Sequence, residues 1–248
     1  MKRLLTALAL LAAAASASAS EIEAGYGQDF LSAGYADWRD ASLAATWSGE
    51  RSSVRLAVRE LERYGLRDNE VGAAVRVPLD ARWGILGEAS GSVTHHFMPA
   101  WSGALQLQYA PGAGFALSSG FKWTRYETDV ASSGTQLGTV GVERYFGAHR
   151  IAWTGYLSTL AGSWSGSNRV AWDLFYGERG RIGISLSAGR EIEALGGGEL
   201  LTSRVLGAAL GGSTDVHAGW SVTYELAIQR QGDLYTRTGG KLGLRRYF

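Results

Sequence analysis

The most constraining feature is an alternation of period two that restarts again and again: apolar residues on one parity, polar or small residues on the other, about fourteen times at intervals of roughly 16 residues. Residues 101–109 show it plainly, with Gly103, Leu105, Leu107 and Tyr109 against Ser102, Ala104, Gln106 and Gln108. Residues 220–229 repeat it, with Val222, Tyr224, Leu226 and Ile228 against Ser221, Thr223, Glu225 and Gln229. Successive side chains of a strand point to opposite faces, so each segment reads as a strand with one apolar and one polar side. No stretch after the first residues approaches the roughly 20 apolar residues that a spanning helix needs. If this chain crosses a bilayer it does so with strands, and such a sheet must close, because lipid offers unpaired backbone groups no partner. The last stretch, 239–248, is the expected closing strand: Leu242, Leu244 and Phe248 share one face, and Lys241, Gly243 and Arg245 share the other. Its expected partner is 21–28, which puts Lys241 and Arg245 opposite Glu23. The fold class is therefore all-β, an up-and-down antiparallel transmembrane barrel of about 14 strands, with 12 and 16 as the neighbouring counts.

The ends of the chain divide it in two. Lys2 and Arg3, an apolar run over 4–15 and the small residues Ala17-Ser18-Ala19 form a secretory leader, so 1–19 reads as signal peptide and 20–248 as the barrel domain. Removing Lys2 and Arg3 takes the formal charge from +1 to −1, which leaves no basic excess for nucleic acid. The chain has no cysteine, so no disulfide contributes to its stability.

Two further patterns separate a membrane barrel from a secreted soluble sandwich, which also alternates. Odd-numbered connections read as longer and polar (29–37, 62–69, 95–100, 127–134, 161–168, 191–203), and even-numbered ones as tight, with 211–219 an exception. Long outer loops and short periplasmic turns would produce that asymmetry, with both termini periplasmic. Aromatic residues gather at strand ends: Trp47, Trp83, Tyr109, Phe115, Phe146, Tyr176, Trp220 and Phe248 toward one rim, Tyr26, Trp101 and Trp123 toward the other. Two such girdles are expected at the headgroup levels of a bilayer. Strand twelve, near 204–210, is too short a pattern to assign its faces.

The stretch Glu23-Ala24-Gly25-Tyr26-Gly27, followed by Tyr35-Ala36-Asp37-Trp38-Arg39-Asp40-Ala41-Ser42-Leu43, resembles the opening of the YaiO family of outer-membrane β-barrel proteins, and the terminal Arg246-Tyr247-Phe248 agrees with it. The resemblance implies a barrel in the outer membrane of a Gram-negative bacterium, in contact with outer-membrane lipid and with the barrel-assembly machinery. Some relatives carry tetratricopeptide repeats ahead of the barrel, and none is read here. It transfers no activity and no site. One departure concerns assembly: the assembly signal carries an apolar residue two before the terminal Phe, and Arg246 stands there, so recognition is expected to rest on Leu242, Leu244 and Phe248.

Chemistry is sought on the polar parity, which places Asp40, Glu70, Glu88, Glu143, Asp173 and Glu225 in the lumen with Arg55, Arg59, Arg76, Lys122, Arg169, Arg181, Lys241 and Arg245. A ring of one sign would mark a charge-selective pore. Mixed signs predict a lumen crossed by ion pairs. Three functions follow: a narrow or gated channel, a barrel that docks a surface-polysaccharide or export assembly through the loop 191–203, and an outer-membrane enzyme. The enzyme reading needs a hydroxyl beside a base, and only His95 and His96, near Ser92 and Thr94 with Glu88 on the inward face, offer one. A loop histidine pair is more often simply solvated. Adjacent histidines on a strand point opposite ways and no third ligand is well spaced, so neither a metal nor any other cofactor is expected.

Overall fold

The computed structural model describes residues 20–127, 132–196 and 199–248, with side chains outside 193–200. The expected leader, 1–19, lies outside the described residues. Fourteen strands follow in chain order: β1 (Glu21–Leu31), β2 (Trp38–Ser48), β3 (Ser53–Arg63), β4 (Leu66–Pro78), β5 (Trp83–Thr94), β6 (Trp101–Gly112), β7 (Phe115–Glu127), β8 (Ser132–Phe146), β9 (His149–Leu160), β10 (Ser163–Tyr176), β11 (Gly180–Gly196), β12 (Glu199–His217), β13 (Trp220–Gln231) and β14 (Tyr235–Tyr247). Each pairs antiparallel with its chain neighbour, and β14 returns to β1, so the sheet closes and has no edge. At the seam Glu23 faces Arg245, Tyr26 faces Leu242 and Leu31 faces Arg237. Closure satisfies the last row of backbone donors and acceptors, as a strand in hydrocarbon requires.

A barrel in lipid turns its apolar residues outward, and this one does. Val71, Leu105, Phe121, Leu157, Leu186, Leu226 and Leu242 are exposed around the circumference, whereas Ala44, Leu61, Ala152 and Val205 are buried. At the rim that carries the termini, the Trp83 and Tyr109 rings lie 4.4 Å apart, and His149 stacks between Phe146 and Trp172. At the other rim Trp101 meets Trp123 at 6.0 Å. Tyr26 is the exception to the expected girdle, because it sits in the middle of β1; Phe30 and Tyr35 lie nearer that rim.

Of the six expected long loops at the far rim, 95–100 is a connection as expected and 29–37 keeps one over 32–37, residues 128–131 of 127–134 lie outside the described ones, and the other three are largely strand. The charged stretch 62–69 is the end of β3, the start of β4 and a two-residue turn, Tyr64-Gly65, with both residues at positive φ. Likewise 161–168 collapses to the turn Ala161-Gly162, again with both φ positive, and β10 starts at Ser163. Two successive residues in the left-handed region give the mirror-image turn whose twist matches a hairpin, so two residues suffice. Residues 191–203 belong to the hairpin of β11, 17 residues long, and β12, 19 residues long; residues 197 and 198 lie outside the described ones. Since about 9 to 11 tilted residues cross a bilayer, these strands project well beyond it. The exceptional connection 211–219 also disappears, because β12 runs to His217 and only Ala218-Gly219 turns. The faces of β12 are settled too: Leu206 and Leu210 are exposed with the lipid-facing set, while Ala209 and Gly211 line a lumen cavity.

Candidate functional site: the barrel lumen

Carboxylates on the lumen wall recur as clamps, one acid between two cations. The Asp40 carboxylate accepts from Arg59 at 2.5 and 2.9 Å and meets Lys241 Nζ at 3.2 Å. Glu23 Oε2 lies 3.2 Å from Arg55 and 3.0 Å from Arg245. Asp173 lies 2.7 Å from Arg150 and 3.4 Å from Arg181. Every clamp joins strands adjacent or two apart in the wall, as with β3, β1 and β14 around Glu23. Among the described residues no ion pair bridges the lumen from one wall to the opposite one. The expectation of a lumen crossed by ion pairs is therefore corrected: the pairs lie along the wall.

Glycine makes this possible. Gly27 stands opposite Lys241, and a Cβ there would come within 2.8 Å of Lys241 Cγ. Gly183 stands opposite Asp173, and a Cβ there would collide with the Asp173 carboxylate. A missing side chain on the neighbouring strand lets a charged one lie flat toward its partners instead of rising toward the barrel axis.

Space remains between the clamps. A cavity of about 670 Å³ is lined along the contiguous sector β11–β14 and β1–β3 by Glu23, Asp40, Arg59, Arg181, Glu225, Lys241 and Arg245. A cavity of about 300 Å³ lies against Glu88, Lys122, Glu143 and Tyr156. One of about 480 Å³ opens at the terminal rim beside Arg76, Arg82, Tyr145 and Arg150. Asp80, in the turn at that mouth, accepts from the backbone N–H groups of Arg82 at 2.6 Å and Trp83 at 2.8 Å. These two bonds to the charged form hold its carboxyl below the usual aspartate range.

The remaining charges from the polar parity are placed as follows. Glu70 accepts from the Ser90 hydroxyl at 3.1 Å, and Arg169 donates to Ser185 at 3.1 Å. Glu143 takes the Tyr145 hydroxyl at 2.7 Å and lies 3.4 Å from Arg150. Arg76, Glu88 and Lys122 line cavities without an ionic or hydrogen-bond partner among the described residues. The expected meeting of Glu23 with Arg245 is observed; sequence reasoning overlooked Arg150 as a clamp member, and also Arg63 and Arg237, whose guanidinium carbons lie 4.2 and 5.2 Å from the ring of the buried Trp38. The signal for all of them is the same alternation carried a few residues further. Arg150 has the parity of Ala152 and Thr154, and Arg63 that of Arg55 and Arg59.

The histidine pair is organised differently from its expected surroundings. Asp68, fully buried at 0% exposure, accepts the backbone N–H groups of His96, Phe97 and Met98 at 2.9 to 3.0 Å, and the His96 ring Nδ1–H donates to it at 2.8 Å. This carboxylate caps the 95–100 connection as a side chain caps a helix start, by supplying an acceptor to successive free amides. Ser92 Oγ and His95 Nδ1 are buried without hydrogen-bond partners, so the pair with His96 is an acid and a base without a hydroxyl in contact. Among the described residues, no group of three or more His, Cys, Asp or Glu is arranged to hold a metal.

Comparison with known proteins agrees with the architecture. The model of the YaiO membrane beta barrel domain matches residues 19–194. No curated protein matches the chain. Among solved structures, the CymD monoaromatic hydrocarbon channel aligns with a TM-score of 0.62 at 10% identity, over 97% of this chain and 92% of its own. The Acinetobacter baumannii outer membrane protein Omp33 aligns at 0.54 and 12% identity, over 93% and 99%. An anion-selective porin from Comamonas acidovorans aligns at 0.52 and 9% identity, over 93% and 99%. At such identities the likeness is one of fold. It is the fold of Gram-negative outer-membrane barrels.

Proposed function

Taking as premise that the chain belongs to the YaiO membrane beta barrel family, we propose that this outer-membrane barrel is a narrow passive channel for small polar solutes, with both termini periplasmic. The observation that carries the reading is the lateral course of the clamps, which brace the wall and leave polar space in the lumen, one cavity against Glu225 and Lys241 and another against Glu88 and Lys122. A barrel of fourteen strands lies between the filled eight-stranded type and the open channels of 16 to 18, so what its side chains do decides the bore. Here glycine opposite charge keeps them low.

The test is planar-bilayer recording of the purified barrel in symmetric salt. Small, reproducible conductance steps are expected. Conductance no greater than that of protein-free lipid at any voltage would remove the channel reading. Orientation is tested separately, by adding a protease-cleavable tag after Phe248 and treating intact cells: the tag should survive until the outer membrane is breached.

The β11–β12 hairpin supports a second role, docking of an export or surface-polysaccharide partner, because its strands run far past the membrane-crossing length. Shortening it should leave conductance intact and abolish co-purification of any partner; a partner retained by the shortened barrel would exclude the hairpin as its site.

A further inference from the structure

Among the described residues, arginines at outward positions on the strands are partnered, except one pair on β11 and β12. At the terminal rim they lie on aromatic rings or carbonyls: Arg144 over Phe115 at 4.3 Å, and Arg246 on the Ala218 carbonyl at 2.9 Å with the Trp220 ring beneath. At the opposite rim they meet acids. Arg67 pairs with Glu62 at 2.8 Å, which Arg39 also approaches; Arg125 pairs with Glu127 at 3.4 Å and Arg230 with Asp233 at 2.9 Å. Arg190 and Arg204 differ. They are direct register partners on β11 and β12, both are exposed, and neither has an acidic or hydrogen-bonding partner among the described residues.

Their parity places both on the lipid side. Arg190 follows Ile184 and Leu186, and Arg204 precedes Leu206 and Leu210, all exposed with the lipid-facing set. On the neighbouring strand β10, Trp164 is 65% exposed, as an interfacial tryptophan is. Two like charges directly opposite one another on a sheet repel. In a headgroup layer that arrangement is favourable only with an anion between them. A guanidinium fork fits the oxygens of a phosphate two at a time, and two facing forks can hold one phosphate from both sides.

We propose that Arg190 and Arg204 form a binding site for a phosphate of lipid A, the phosphorylated glucosamine lipid of the outer leaflet. The leaflet assignment rests on the orientation proposed above, which places this rim outside. The acyl chains of such a lipid would lie along the apolar surface of Leu186 and Leu206 below the pair. The site is distinct from the lumen, and it gives the β11–β12 hairpin an anchor where it leaves the membrane.

Native mass spectrometry of the detergent-purified barrel tests this with three probes: diphosphoryl lipid A, the same lipid with its phosphates removed, and phosphatidylglycerol. The wild type should retain diphosphoryl lipid A about tenfold or more over the dephosphorylated form, the discrimination expected of charge-assisted bonds. R190Q/R204Q should lose that preference, and R144Q should keep it. Equal retention of the two lipid A forms by the wild type, or an unchanged preference in R190Q/R204Q, overturns the site. Phosphatidylglycerol retained as well as diphosphoryl lipid A, and lost in R190Q/R204Q, overturns the assignment to lipid A and counts against the orientation, while conductance measured on the same preparation reports on the channel reading independently. If the double variant does not fold, judged by loss of its heat-modifiable gel mobility, R204Q alone should show a reduced preference, and an undiminished one refutes the proposal.

Discussion

Two sectors of the same wall handle charge in opposite ways. Where the barrel closes, over β14, β1, β2 and β3, Glu21, Glu23, Asp29 and Asp40 each meet at least one cation, whereas Glu225 on the neighbouring β13 lines the cavity without a partner among the described residues. In the next sector, over β4 to β7, Arg76, Glu88 and Lys122 reach into cavities with no partner among the described residues. The seam joins strands from the two ends of the chain, so no short turn fixes their register. A slip by one residue would send every side chain to the wrong face. Opposite charges facing one another, Glu23 against Arg245 and Lys241 beside Asp40, penalise such a slip. The second sector is held in register by its turns and needs no such device, so its charges are left to the lumen. The clamps are thus assigned to register and stability, and the unpartnered charges to whatever passes.

The strongest way to break this comparison is to remove the seam's end. Deleting Phe248 should sharply reduce the fraction of barrel that assembles in the outer membrane, measured by heat-modifiable mobility, whereas Arg246→Ala should leave it near wild type; normal insertion of the deletion would refute the closing-strand reading. Next in size, Leu242→Arg places a charge on the lipid side of β14, where Leu242 is 67% exposed. It should cost about 2–4 kcal/mol of folding stability in bilayers if that position lies near the midplane. Glu23→Gln removes one of the two carboxylates, with Glu21 the other, that Arg55 and Arg245 share, and should cost about 1 kcal/mol, reduced from the fully buried case because Glu21 remains and both cations are partly solvated. A urea titration in lipid vesicles measures both.

The second sector should answer in the opposite sense. Lys122→Glu should change stability by no more than about 0.5 kcal/mol, yet shift the reversal potential toward cations in a salt gradient. An unchanged reversal potential with a large loss of stability would erase the distinction between the sectors. The smallest effect concerns Asp80. Its carboxyl titrates below the usual range when folded because two backbone N–H groups hold the anion. Its contribution is therefore present above the unfolded value near 3.8 and is lost as pH falls through the folded value. The difference in melting temperature between wild type and Asp80→Asn should be present at pH 7 and vanish at strongly acid pH; a difference that grows on acidification would contradict the assignment.

Much of the wall was legible in the sequence because alternation is local. The inward parity of Asp40, Arg55, Arg59, Lys241 and Arg245 needs only a strand with one face in lipid. The far rim was misread for an equally local reason. Glycine and serine, which signal turns in soluble chains, stand opposite bulky neighbours in 161–168, as Gly166 does opposite Leu157 and Ser167 opposite Tyr156, so that stretch reads as a loop. The acid that holds His96 was invisible for a different reason: Asp68 lies 28 residues away, and the two meet because the 95–100 connection folds back over β4.

The sequence by itself determined an exported, all-β chain of about fourteen amphipathic strands whose last must close on its first, because period-two patterning and the backbone's need for partners in lipid admit little else. The tertiary structure decided which charges meet. Contacts such as Arg55 with Glu23 and Lys241 with Asp40 join strands two apart, and they depend on the stagger of the closed sheet, a property of all fourteen strands together that no single segment encodes.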